Sequence, residues 1–152
     1  MACSRHKSLR AAWLAAWALS AATWAATPAV VADAAWIRWL PGSLPAGGYL
    51  TLRNNSDRTQ TLITVSSPDY GTLTLHRTRM QGQVSSMEPV ARLDLPPHRT
   101  LSFAAQGYHI MLEHAARPLQ PGDHVTITLH FADGTTLAVP FEVRSPDAGP
   151  PP

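Results

Sequence analysis

Cysteine is almost missing from this chain. Its one cysteine, Cys3, stands ahead of the first apolar stretch, so it is not placed to become a lipid-modified N-terminus after cleavage. Once an N-terminal leader is removed, no thiol and no disulfide remain. Thiolate chemistry, disulfide staples and the thiolate-ligated site of a blue-copper electron carrier are thereby excluded, and stability has to come from packing. Lysine is equally scarce: Lys7 is the only one, and it too lies in the leader. The nine arginines that remain stand against ten acidic residues, and they are scattered among turns and strand edges. Binding to nucleic acid needs a clustered basic face, and the sequence offers none. Long apolar runs are missing as well. Ala11 to Ala22 is the nearest, and it is too short for a comfortable bilayer span, so no stable membrane insertion is expected. It follows Arg5, His6, Lys7 and Arg10, and small residues cluster at its end and just beyond, at Ala21, Ala22, Ala25 and Ala26. That is the layout of a cleaved secretory signal peptide over residues 1–26.

A helical apolar period is also lacking between Asp33 and Val143; only His114 to Arg117 could form a single turn, ended by Pro118. What is there instead is a series of short runs rich in Val, Ile, Thr, Leu and aromatics. Val30 to Leu40, Gly48 to Arg53, Gln60 to Ser66, Thr72 to His76, Ala91 to Leu95, Thr100 to Ala104, Tyr108 to Glu113, His124 to Phe131 and Thr135 to Val143 read as strands. Turn residues separate them, at Asn54 to Asp57, Ser67 to Asp69, Pro96 to His98, Pro121 to Asp123 and, most sharply, Asp133-Gly134. The expectation is one all-β domain over 30–144, an antiparallel β-sandwich. A Pro-rich tail, 145–152, is expected to be disordered. Trp36 and Trp39 read as packing residues.

Alternation assigns faces. Val125, Ile127, Leu129 and Phe131 point to the core, while His124 and His130 share the opposite, solvated face. In the same way Tyr108, Ile110 and Leu112 point inward and send His109 and Met111 outward together. A methionine on an outer face is unusual, because methionine normally fills cores. His76 ends a strand before a polar loop, and Met87 follows beyond Met80, giving the arrangement His76-x10-Met87-x21-His109-x-Met111.

That spacing and its surroundings resemble the periplasmic copper chaperone family called PCuAC. The matching context includes Leu75-His76, Gly107-Tyr108-His109-Ile110-Met111-Leu112, Arg117-Pro118-Leu119 and Pro121-Gly122-Asp123. Near the start, Ala35-Trp36-Ile37-Arg38 and Tyr49-Leu50-Thr51-Leu52-Arg53-Asn54 match as well, so the likeness covers nearly all of 33–143. The resemblance implies a cupredoxin-like sandwich in a Gram-negative periplasm. It implies one Cu(I) held by His76, Met87, His109 and Met111. It also implies delivery to a cytochrome c oxidase subunit or a thioredoxin-like copper assembly protein. Two departures stand out. Arg77 and Arg79 put positive charge next to His76, and the tail has no His or Met for a second copper.

The donor chemistry points the same way. Cu(I) is soft and accepts imidazole and thioether ligands. Two histidines and two methionines form a neutral set that suits a monovalent ion, disfavours Mg²⁺ and Ca²⁺ and is unusual for zinc. The expected site is an open one at the surface of a monomer, with His76 and Met87 closing over from a loop. Singly, each of these residues would more often be a packing or polar surface residue; the set of four carries the reading. Met80 reads as loop packing, with a transient fifth ligand as the alternative, and His98, His114 and His124 read as exposed. No nucleophile–base pair has the context of an enzyme. The competing functions are a periplasmic copper buffer or resistance protein and a metal-free interaction module.

Overall fold

The structure, a computed structural model, describes residues 28–42 and 44–151. The expected signal peptide lies outside the described residues. Ten strands and no helix are found among the described residues. They are β1 (Val30–Arg38), β2 (Ala46–Asn54), β3 (Gln60–Ser66), β4 (Tyr70–Gln81), β5 (Val84–Pro89), β6 (Leu93–Leu95), β7 (Thr100–Ser102), β8 (Tyr108–Ala115), β9 (His124–Phe131) and β10 (Thr136–Arg144). The fold is an all-β, cupredoxin-like sandwich. The strands follow one hydrogen-bonded path, β5-β4-β8-β2-β1-β10-β9-β3-β6, with β7 beside β2.

Pairing is antiparallel except where β1 meets β10 in parallel, Trp36 opposite Glu142 and Arg38 opposite Arg144. Residues from both halves of the path, including Ile37, Leu50, Leu62, Leu75, Ile110, Ile127 and Phe141, form one buried cluster. The alternation read from the sequence is the cause. Val125, Ile127, Leu129 and Phe131 are all buried, as are Ile110 and Leu112, because a period of two sends every second side chain to the same face. Asp133-Gly134 makes the β9–β10 turn, with Gly134 at φ 86.

The region after His76 differs from the expectation of a loop. β4 runs on to Gln81, turns through Gly82 and Gln83, and returns as β5, with Gln81 opposite Val84. Gly82 has φ 63, the left-handed conformation that a two-residue hairpin turn requires and glycine accepts without steric cost. The strand signal was hidden because every residue of β5 is exposed. With no face to bury, the segment has no apolar alternation to display.

Asn54, at the end of β2, is fully buried and joins three chain segments. Its amide nitrogen donates to the carbonyls of Arg58 (2.7 Å), Leu95 (2.9 Å) and Pro96 (3.1 Å), while its oxygen accepts from the Ser56 amide (2.9 Å) and hydroxyl (2.7 Å). Asn54→Ala removes these bonds and leaves buried groups unsatisfied, for an expected loss of about 2–4 kcal/mol. Urea unfolding should show a lower midpoint with an unchanged slope.

Candidate metal centre

Three adjacent strands, β5, β4 and β8, carry the residues singled out in the sequence. Cross-strand register fixes their relation. His76 on β4 lies directly opposite His109 on β8, and Thr74 lies opposite Met111. On the other side of β4, Thr78 lies opposite Met87 and His76 opposite Pro89. Paired residues share a face, and residues two apart along a strand share it too. His76, Met87, His109 and Met111 are therefore on one face. His109 is the direct neighbour of His76, and the two methionines stand at its diagonals on opposite sides. The opposite face of β4 and β8 carries Leu73, Leu75, Ile110 and Leu112, which anchor the strands on the core.

The four residues differ in exposure. His109 is buried, at 5 % of its possible surface, because β8 lies inside the sheet between β4 and β2. His76 and Met111 are half-buried, and Met87, on the edge strand, is 60 % exposed. The site is thus closed at its histidine floor and open only toward β5, where a wholly open surface site was expected. Past Met111, Gly47 lies opposite on β2. A β-carbon there would stand 2.6 Å from the Tyr49 hydroxyl, so the glycine lets Tyr49 lie flat over this position. Tyr49 in turn packs against Trp36, with ring centroids 4.9 Å apart.

The two imidazoles are prepared differently. His109 Nδ1 is 3.2 Å from the Gly107 carbonyl oxygen. A carbonyl only accepts, so Nδ1 carries the proton and Nε2 keeps its lone pair. Burial pushes the His109 pKa down, the Gly107 carbonyl partly restores it, and His76 lowers it further. The His76 and His109 rings meet edge to face, with centroids 5.9 Å apart. His76 Nδ1 is buried and has no hydrogen-bond partner. A buried, unpartnered nitrogen is costly, about 1–3 kcal/mol, unless something outside the protein bonds to the ring. A metal ion would do so.

The arginines beside His76 point away from the candidate site. Alternation turns Arg77 and Arg79 to the other face of the hairpin. The Arg77 guanidinium lies over the Tyr108 ring, 5.1 Å from its centroid, and Arg79 Nε bonds the Glu88 carboxylate at 3.0 Å.

Among the described residues no group of three or more His, Cys, Asp or Glu side chains gathers. A cation held at His76 and His109 would have to take thioethers or outside ligands to complete its shell, which favours a soft ion over a hard one. The remaining histidines lie elsewhere. His98 Nε2 bonds Asp57 at 2.8 Å, His130 Nε2 bonds the Ser66 hydroxyl at 2.8 Å, and His124 is exposed. His114 is also exposed and stands five residues along β8 from His109, about 17 Å at strand rise. Met80, read as loop packing, is a strand residue opposite Ser85 and 56 % exposed. The signal that would have located it is Gly82, which closes a hairpin and makes the flanking parity countable.

A family model described as LpqE-like matches residues 30–143. The chain belongs to that family, which is the PCuAC family. Among solved structures, the PCuAC fold is matched by the copper-bound PCuAC domain from PmoF2, with a TM-score of 0.66 and 24 % identity, over 80 % of this chain and 97 % of that domain. Cu(I)-DR1885 from Deinococcus radiodurans is 34 % identical with a TM-score of 0.63, over 78 % of this chain and 79 % of that one. Lxx21020 of Leifsonia xyli subsp. xyli is 30 % identical over 126 residues, 79 % of this chain and 75 % of that protein. Both it and the family carry the word lipoprotein in their names.

The lowered pKa of His109 has a measurable consequence for the metal-free protein. Its folded pKa lies below the ordinary histidine value of about 6.5, so the unfolded chain takes up the proton first. Stability is full above the unfolded value and is lost as pH falls from there through the lowered folded pKa. Denaturant midpoints measured across this window should decline with acid, and His109→Gln should remove most of that slope.

Proposed function

We propose that this PCuAC domain is an exported copper chaperone that binds one Cu(I) through His76, Met87, His109 and Met111. In this reading it carries the ion to thiolate ligands on an acceptor protein, such as those that build the copper centres of cytochrome c oxidase. The observation that carries the reading is the His76–His109 cross-strand pair, with its unpartnered buried nitrogen, flanked diagonally by a methionine on either side. The Cu(I) form of DR1885, a relative at 34 % identity, supports the choice of metal.

The chemistry suits carriage. His109 Nε2 and one nitrogen of His76 offer imidazole donors that suit a soft ion. Met87 and Met111 add thioethers, which bear no proton and so release none on loading. Thioethers bind Cu(I) more weakly than thiolates, so the ion leaves downhill toward a cysteine-bearing acceptor. The buried apolar face of β4 and β8 holds the imidazoles in place, while Met87, on the exposed edge, is the ligand freest to move.

Anaerobic Cu(I) titration against a chromophoric chelator tests the ligand set. One tight equivalent is expected. Met111→Ala and Met87→Ala should each weaken it by about tenfold or more, and His109→Ala should abolish it, as expected when one ligand of a metal site is lost. Tight binding unchanged in all three variants would mean that the ligands lie elsewhere. Oxidase assembly is tested separately. Deletion of the protein should lower cytochrome c oxidase activity at limiting copper, whereas copper sensitivity with normal oxidase would mark it as a buffer.

A further inference from the structure

The hairpin that carries Met87 holds a second thioether that the four-ligand site does not use. Met80 lies opposite Ser85, and Thr78 lies opposite Met87, so Met80 and Met87 are diagonal neighbours on the same face. Side chains at such diagonals, about 7–8 Å apart, can meet when they are long and flexible. Met80 is four residues from His76 along β4, about 13 Å at strand rise, too far to join a compact site containing both histidines. Met87 stands between the two. It is diagonal to His76 in one direction and to Met80 in the other.

Packing does not account for these side chains. Among the described residues, five large apolar side chains are strongly exposed, and three of them, Met80, Val84 and Met87, are on this one hairpin. Val84 belongs to the opposite face, with Arg79 and Glu88, leaving the two methionines as the apolar content of the metal face at the tip. Exposed apolar surface on a segment that buries nothing has no folding benefit to explain it. The Arg79–Glu88 ion pair, on the far face, turns the charge of Arg79 away from the thioethers.

We propose that Met80 and Met87 form an outer Cu(I) station, through which the ion passes between solvent-side partners and the inner His76, His109 and Met111 donors. This rests on the copper reading above. Met87 is the shared ligand. It swings from the inner set toward Met80, and the ion releases His76, His109 and Met111 and gains the Met80 thioether. Copper remains Cu(I), the thioethers gain and lose no proton, and no electron is transferred. A two-thioether station is weak, which lets an incoming thiolate complete the exchange. It also gives copper a path around the closed floor at His109.

The test uses Met80→Leu, which keeps size and strand preference and removes only the sulfur. Three quantities are measured on wild type and variant: Cu(I) affinity, the stopped-flow rate of Cu(I) transfer to a dithiol acceptor, and methionine ε-methyl NMR shifts on titration with Cu(I). The station predicts affinity within about twofold of wild type and transfer slowed by about tenfold. In the wild type, the Met80 and Met87 methyl signals should shift together beyond one equivalent. Unchanged transfer with an unmoved Met80 methyl would overturn the station while leaving the inner site intact. Affinity lost together with rate would overturn it too, by making Met80 a member of the inner site. Absence of Cu(I) binding in the wild type would instead sink the copper reading itself.

Discussion

Everything at the candidate site depends on the antiparallel pairing of β4 with β8 in one register. That pairing sets His76 against His109, and it also sets Leu75 against Ile110 on the reverse face. The same backbone hydrogen bonds thus tie the donor pair to the buried core. A slip of β4 by one residue would turn Leu75 outward and point His76 at the core in its place. Burial of the apolar set therefore enforces the geometry of the metal face, although no core residue touches a metal. The two sides of this ribbon are one decision, made by hydrophobicity and read out in which side chains share the outer face.

Strand β8 shows how local chemistry adds to that frame. The Gly107 carbonyl occupies Nδ1 of His109 and leaves Nε2 as the available donor. Burial keeps the ring uncharged, so a proton competes poorly with a cation for the lone pair. His76 has the opposite local situation, with a buried nitrogen that nothing in the protein satisfies. One imidazole is oriented and the other is left wanting. Such an asymmetric pair favours a ligand that binds both over one that serves either alone.

The sequence displayed those parts of the fold that have one dry face and one wet face. Val125 to Phe131 and Tyr108 to Leu112 alternate cleanly, so the core and the outward direction of His109 and Met111 could be read directly. The reach of β4 and the existence of β5 could not, because Arg77 to Pro89 has two wet faces on a hairpin and carries no apolar period. The parallel contact between β1 and β10 joins segments a hundred residues apart, and no local pattern encodes that. The burial of His109 was hidden for the same reason: it follows from β2 and β4 flanking β8, not from the residues next to it. The spacing of the four candidate ligands was legible as a motif, but the reason they share a face emerged only once the register could be counted.

The tip of the β4–β5 hairpin, from Arg77 to Pro89, contributes nothing to the buried cluster. Its length is therefore constrained by parity more than by stability. One residue inserted between Gly82 and Met87, unless absorbed as a bulge, would leave the folded domain intact and rotate the thioether to the arginine side. Two inserted residues would restore the face and displace the sulfur along the ribbon. Drift in this segment among related chains would thus keep the sulfur on the His76 face in even steps and remove it in odd ones, a change that measurements of expression, solubility or melting temperature would pass over.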